Sequence, residues 1–314
     1  MTDKERKSIE ELNSADRDAL IELEENINLP IPKVPKIRLT SRGFTVENGY
    51  ITGLSLFGAE LKEFPKSILK MKKLRILNLE GNRLKYVPKE IKKLKELYFL
   101  NLASNNLEFL PKELGELIQL KTLILSNNPS LSLPQSITKL SSLETLVIAK
   151  NNLKFLPDYI INLKRLRELN ISNNKLTALP ENIGKMTSLE KLYVSFNELT
   201  FLPKSIGKLT SLRVLDLSYN QLTFLPETIF NLNCLEVLIL SFNRLTTLSE
   251  NISKLKLLRF LELNGNMISF LPETIVELHF LYWLGLKDVP LELNNEKNRI
   301  ILEKLKTAGC IIFT

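Results

Sequence analysis

Few side chains in this 314-residue chain are equipped for covalent chemistry, and they stand alone. His279 is the single histidine, so zinc centres with several histidines and most histidine proton relays lack partners. The two cysteines, Cys234 and Cys310, are far apart in the sequence; Cys234, between Asn233 and Leu235, is expected to pack and not to act as a nucleophile. His279 is expected at the surface. Neither GxxxxGK[ST] nor GxGxxG occurs, and Gly184-Lys185 and Gly207-Lys208 lack the preceding glycine of a phosphate loop. No catalytic residue, metal ligand or cofactor is therefore expected. The polar chemistry that does recur is the carboxamide: Asn82, Asn105, Asn128, Asn151, Asn174, Asn197, Asn220, Asn243 and Asn266 follow one another at intervals of 23 residues. An amide offers two donors and an acceptor, so such a series suits backbone groups left unpaired where a chain turns repeatedly.

The elements that must position these amides recur with them. Around Asn220 stand Leu212, Leu215, Leu217, Leu222, Leu225, Pro226, Ile229 and Leu232, and every other unit carries the same frame. The part before the asparagine alternates apolar and polar residues, the pattern of a short strand with leucines inward. The part after it, as in Leu202-Pro203-Lys204-Ser205-Ile206-Gly207-Lys208-Leu209, spaces apolar residues by three or four, with proline where a helical turn begins. Stacked units should form a parallel sheet on one side and 3₁₀ or short helical turns on the other, curving with the strands inside. Each asparagine should be a buried rung worth about 1–3 kcal/mol.

The open ends of such a stack would expose leucines, so caps are expected. Residues 1–50 supply one: Ile9, Leu12, Leu20, Leu23 and Ile27 have helical spacing, with Ser14 as N-cap between two helices, and Asn48-Gly49 closes a hairpin. Residues 51–291 form about eleven units, with Ala59 in place of the first rung. Residues 292–314 close the other end with a helix from Asn295 to Thr307, stopped by Gly309, and a strand from Cys310 to Phe313. Formal charge is +8 but uneven: residues 1–28 hold four basic against nine acidic side chains, residues 29–95 sixteen against five. Met1 to Glu11 lack the apolar stretch of a signal peptide, no apolar run reaches the roughly 18 residues of a transmembrane span, and two cysteines make no disulfide framework. A cytoplasmic protein is the default expectation, with leaderless secretion the alternative.

These units resemble the leucine-rich repeat family of the LPxxIxxLxxLxxLxLxxNxL type, and segments such as Leu110-Pro111-Lys112-Glu113-Leu114-Gly115 and Leu225-Pro226-Glu227-Thr228-Ile229 are similar to those of Ras-suppressor-like proteins, plant intracellular Ras-group repeat proteins and spirochaetal repeat families. Ser130, where leucine is expected, and Ser249, where proline is expected, depart from the pattern. The resemblance implies an α/β leucine-rich repeat solenoid, a curved horseshoe with its parallel sheet on the concave face and 3₁₀ turns on the convex face. It also implies a protein without chemistry of its own that binds other proteins on the sheet.

Outward strand positions of neighbouring units lie about 4.8 Å apart, so residues 23 apart form columns on that face. One column runs from Gly53, Ile76 and Phe99 to Val214, Val237, Phe260 and Trp283; the next from Ser55, Asn78 and Asn101 to Tyr193, Asp216, Ile239, Glu262 and Gly285. Phe196, Tyr219 and Phe242 precede three consecutive rungs. The expected partner-binding residues are Tyr193, Phe196, Val214, Asp216, Tyr219, Val237, Ile239, Phe242, Phe260, Glu262 and Trp283, an apolar patch edged by Asp216, Glu262 and Lys191. A further column, Tyr86, Phe109, Phe155, Phe201, Phe224 and Phe270, is expected to be a packing spine. Lys70, Lys72, Lys73, Lys89, Lys92, Lys93 and Lys95 should fall on the convex side, where they suit an acidic protein, a sulfated glycan, an anionic membrane or solvent alone; without interleaved aromatics they do not suit nucleic acid. The function expected is that of a monomeric, non-catalytic scaffold binding a protein through the C-terminal half of the sheet. The alternative is a bacterial adhesion or glycan-binding protein in host interaction, using the basic early units.

Overall fold

The structure, a computed structural model, describes residues 9–292 and 294–314; the first eight residues of the expected N-terminal cap lie outside the described residues. The chain divides into two compact units at residues 151 and 152.

In the first unit, helix α1 (Ser14–Ile27) is followed by a hairpin, β1 (Gly43–Glu47) and β2 (Tyr50–Ser55), and then by single-coil strands β3 (Ile76–Asn78), β4 (Phe99–Asn101), β5 (Thr122–Ile124) and β6 (Thr145–Val147). The hairpin turns at Asn48 and Gly49, both at positive φ, as a two-residue turn between twisted strands requires. Strands β2 to β6 then pair in parallel and in chain order. The N-cap of α1 is Asn13, not Ser14: its Oδ1 accepts the Asp16 N–H, while the Asn13 amide and backbone N–H both donate to the Gly49 carbonyl. A carboxamide reaches both the helix start and the hairpin, which a serine hydroxyl one residue later does not. Asp16, buried, completes the joint by accepting the Ile51 N–H at 2.7 Å.

The second unit continues the pattern with β7 (Glu168–Asn170), β8 (Lys191–Tyr193), β9 (Val214–Asp216), β10 (Val237–Ile239), β11 (Phe260–Glu262), β12 (Trp283–Gly285), helix α2 (Glu296–Thr307) and β13 (Ile311–Phe313). These strands are parallel neighbours in chain order, with partners 23 residues apart from β7 to β12. β13 pairs with β12 and closes the edge. Asn295 caps α2, and buried Asn298 accepts the Leu271 N–H and donates to the carbonyls of Ser269 and Glu292, so the helix completes the backbone hydrogen bonding of the last coil.

Between strands, proline holds an extended conformation that a 3₁₀ turn follows, as at Pro203 before Lys204–Lys208, where the Ile206 N–H donates to the Pro203 carbonyl. Ser249, which stands where proline is expected, adopts the same backbone angles and caps its turn through a side-chain bond to the Asn251 N–H. The rungs are buried as expected. Asn220 Oδ1 accepts the Leu199 N–H of the preceding coil, and its amide donates to Val194 of that coil and to Leu217 and Ser218 of its own. At Pro129-Ser130 the pattern bends: Asn151 Oδ1 takes the Asn128 N–H at 2.7 Å, because the altered turn no longer presents the N–H two residues after Asn128. Leucines and isoleucines at the repeat positions fill the interior of both units. Among the described residues no helix is long and apolar enough to cross a membrane.

Candidate functional site

Each turn after a strand passes through the left-handed region one residue before the rung position, which Ala59 and Val289 occupy at the two ends in place of asparagine. The positions are Gly58, Gly81, Ser104, Asn127, Lys150, Asn173, Phe196, Tyr219, Phe242, Gly265 and Asp288, with φ between 53° and 71°. Glycine and asparagine tolerate this conformation; for a bulky side chain it costs on the order of 1–2 kcal/mol. Three consecutive positions are nevertheless aromatic. Their rings stack: Phe196 on Tyr219 with centroids 4.1 Å apart and planes 9° apart, Tyr219 on Phe242 at 4.4 Å and 18°. Stacking contributes about 0.5–1.5 kcal/mol per pair and offsets part of the backbone cost. The row ends on Gly265, whose φ is 61° and where a Cβ would stand 2.6 Å from Phe242 Cδ1; only a glycine lets the Phe242 ring lie against the backbone there. Despite stacking, Phe196 remains 48% exposed and Tyr219 and Phe242 42% each.

Beside this row lies the strand face of the second unit. Val214, Val237, Phe260 and Trp283 are in register on β9 to β12, as are Tyr193, Asp216, Ile239, Glu262 and Gly285 on β8 to β12. All the expected partner-binding residues thus fall on one contiguous strip, and each has some exposed surface. Its two carboxylates are held by their own turns. Asp216 Oδ1 accepts the Ser218 N–H and hydroxyl, at 3.0 and 2.7 Å, and Glu262 accepts the Asn264 amide at 2.5 Å. Gly285 makes room for Glu262: a Cβ there would stand 2.0 Å from its Oε2. Lys191 pairs with Glu168 at 3.5 Å, so the unpaired formal charge of the strip is negative. Burial, and then the Glu168 carboxylate, raise the Tyr193 phenol above its usual range, so it stays protonated. At the far end Trp283 stacks on Phe313 of the terminal strand, with centroids 5.9 Å apart, and Lys287 lies 5.9 Å over the Phe313 ring. Sequence reasoning assigned Phe313 to the cap alone; the parallel register Trp283–Ile311 places it on this face.

The first unit differs. The start of its columns, at Gly53, Ser55 and Asn78, is not the open surface that the sequence suggested, because the segment before the hairpin crosses it, whereas Ile76, Phe99, Thr122, Ile124, Thr145 and Val147 keep partial exposure. Ile37 lies against Gly53, where a Cβ would meet its Cγ1 at 2.7 Å. The Asn78 amide donates to the Leu39 carbonyl, and the Ser55 hydroxyl to that of Ser41. Ser55 and Asn78 are consequently buried; Asn101, also buried, donates to Glu80 instead.

Three other expectations concern surface chemistry. The column Tyr86, Phe109, Phe155, Phe201, Phe224 and Phe270 is no packing spine: these rings are 43% to 71% exposed. The following apolar residue, as in Leu202, already occupies the interior, and the chain turns the preceding side chain outward. The early lysines are largely engaged. Lys70 pairs with Glu22, Lys73 with Glu96, and Lys92 and Lys95 with Glu116, while Lys72 donates to the Leu69 carbonyl. Cys234 is exposed and not packed, since Leu232 and Leu235 take the inward positions beside it. Cys310 is buried, and burial pushes its thiol up to about 11, so it carries little thiolate at neutral pH. His279 is exposed, as expected.

Known proteins place this geometry. The profile of a family described as "Leucine-rich repeat region" matches residues 104–200, and that of "Leucine rich repeat" matches residues 187–245 and 210–268. A leucine-rich repeat protein of Leptospira interrogans is 30% identical over 81% of this chain and 82% of its own, with a TM-score of 0.50. The structure of the Toll–Spatzle complex of Drosophila contains a chain similar to 82% of this one at 27% identity and a TM-score of 0.70, of which 35% is covered. A TDR receptor is 28% identical over 76% of this chain and 43% of its own, with a TM-score of 0.65. The chain spans less than half the length of these two longer proteins. No curated protein matches significantly.

Proposed function

Because the chain belongs to the leucine-rich repeat family, a fold typical of protein-interaction modules, we propose that it is a non-catalytic, monomeric recognition module whose partner lies along the strand face of the second unit. The observation that carries this reading is the row Phe196, Tyr219 and Phe242: three bulky side chains held at a strained backbone angle, stacked and still exposed. Neighbouring Val214, Val237, Ile239, Phe260 and Trp283 extend the row into an apolar strip rimmed by Asp216 and Glu262. Such a strip suits a protein segment that is apolar at its centre and carries a cation opposite each carboxylate. The first unit offers less: residues 37–41 lie over its first strands, and four of the seven early lysines, Lys70, Lys73, Lys92 and Lys95, pair with carboxylates of the chain, which weakens the glycan-binding alternative.

The test is capture from source-cell and candidate-host lysates, followed by affinity measurement with the purified partner. A Tyr219→Lys, Phe242→Glu double variant, its fold verified by circular dichroism, should bind at least about 100-fold more weakly, as loss of two hot-spot residues implies. Retention of the partner by that variant, with release by moderate salt and by Lys92→Glu, Lys93→Glu, would overturn the reading in favour of the early basic units.

A further inference from the structure

The residues that immediately precede the strands of the second unit alternate in charge: Arg167, Glu190, Arg213, Glu236, Arg259. Parallel stacking turns this alternation into a ladder of ion pairs. Arg167 meets Glu190 at 3.3 Å, and Arg213 meets Glu236 at 2.7 Å through one guanidinium nitrogen and donates to it at 2.9 Å through Nε. The next position is Tyr282, which cannot neutralise the last arginine. Arg259 therefore ends the ladder one carboxylate short, and its guanidinium has no ion pair or hydrogen bond among the described residues. Its main chain, by contrast, is fixed: the N–H donates to the Glu236 carbonyl, and the carbonyl accepts from Tyr282 and Trp283.

Arg259 lines an open surface cavity of about 600 Å³ together with Arg213, Glu236, His279, Phe280 and Tyr282. Two arginines face one glutamate there, and that glutamate is already held by Arg213. Phe280 and Tyr282 present exposed rings on the same wall.

We propose that this cavity is a binding site for a carboxylate carried on an apolar or aromatic group. Arg259 takes the two carboxylate oxygens on its planar fork, supplying the pairing that the ladder lacks, while Phe280 and Tyr282 cover the apolar part. In a protein ligand the same chemistry is an acidic residue beside an apolar one. The site adjoins the strip, since the Tyr282 ring meets Phe260 edge-on at 5.8 Å, but it is distinct from the Phe196, Tyr219 and Phe242 row and does not depend on the recognition reading.

The experiment uses the full chain, a small probe and arginine side-chain NMR. Titration with 3-phenylpropionate should produce a saturable shift of the Arg259 Nε–Hε resonance, with affinity about tenfold above that of acetate because the ring buries apolar surface. Arg259→Gln, whose fold is checked by circular dichroism, should abolish the saturable shifts of neighbouring amides. Tyr282→Ala should reduce the advantage of 3-phenylpropionate over acetate. The absence of a saturable shift, a response unchanged in Arg259→Gln, or inorganic phosphate binding more tightly than 3-phenylpropionate would each overturn the assignment.

Discussion

The two units build their strand faces on the same 23-residue frame and finish them in opposite ways. In the first, Ile37, Leu39 and Ser41 lie on the early strands, and Asn78 and Ser55 spend their polar groups on holding them. In the second, the corresponding columns carry Val237, Ile239, Phe260 and Trp283 with nothing of the described chain laid across them in this way, and the turns carry three stacked rings. Apart from Asn151, the rungs beneath follow one pattern in both, as Asn105 and Asn220 show. Fold and surface chemistry are thus set by different positions of one repeat: inward leucines and asparagines make the stack, while outward residues decide whether the chain covers its face itself or leaves it open.

The separation is tested most severely at the rungs. Asn105→Ala and Asn220→Ala should each lower the unfolding free energy by about 3 kcal/mol, because each strands an N–H and several carbonyls in the interior. Equal losses in urea titrations support a common scaffold; a loss confined to one unit breaks the comparison. The glycines of the turn column give a smaller and unequal effect. Gly81→Ala meets nothing nearer than 3.6 Å and should cost only the backbone term, about 1 kcal/mol. Gly265→Ala should cost about 1–2 kcal/mol more, because the new methyl must displace the Phe242 ring, and the change should appear in near-ultraviolet circular dichroism. Identical costs at the two sites would mean that the aromatic row does not bear on Gly265.

The smallest effects concern pH, with opposite signs in the two units. Glu96 is held below the usual carboxylate range, first by its bond to Lys73 and further by Arg75, so its contribution is present above the normal carboxylate value and fades on acidification. Cys310 is raised to about 11, so its contribution is present below the unfolded value near 9 and is lost as pH rises towards 11. Thermal unfolding from pH 3 to 11 of Glu96→Gln and Cys310→Ala should show the acid limb flattened in the first and the alkaline limb in the second. A thiol reagent at neutral pH should label Cys234 rapidly and Cys310 only slowly.

The scaffold was legible because it is periodic: one spacing placed the rungs, strands and turns, and Asn48-Gly49 marked the hairpin. At the caps the helix after Asn295 and the strand ending at Phe313 were legible, and the N-cap of α1 was missed by one residue, since Asn13 and not Ser14 closes it. The strip at Tyr219 and Phe242 was legible as a cluster of types, although the left-handed angle and stacking of its rings were not, since residue type alone would have argued against that angle. The covering segment escaped notice because residues 37–41 carry no repeat, and only the path of the chain brings Leu39 to Asn78. For the Phe201 column, spacing showed that the rings recur but not that Leu202 already fills the space inside. The unpaired Arg259 was readable from charge alternation at intervals of 23, a signal visible only once the pairs are known to be neighbours.

The turn column has one more consequence. Glycine, serine, asparagine, lysine, phenylalanine, tyrosine and aspartate all occupy it within 18° of φ of one another. The angle is kept even at Gly58 and Asp288, where Ala59 and Val289 and not an asparagine follow, so the turn imposes it and not the residue, and each coil offers one site at which the side chain can be exchanged while the path of the chain stays put. The array behaves there as a keyboard: new partner preferences can be composed one key at a time, each at a modest and local cost, without retuning the instrument.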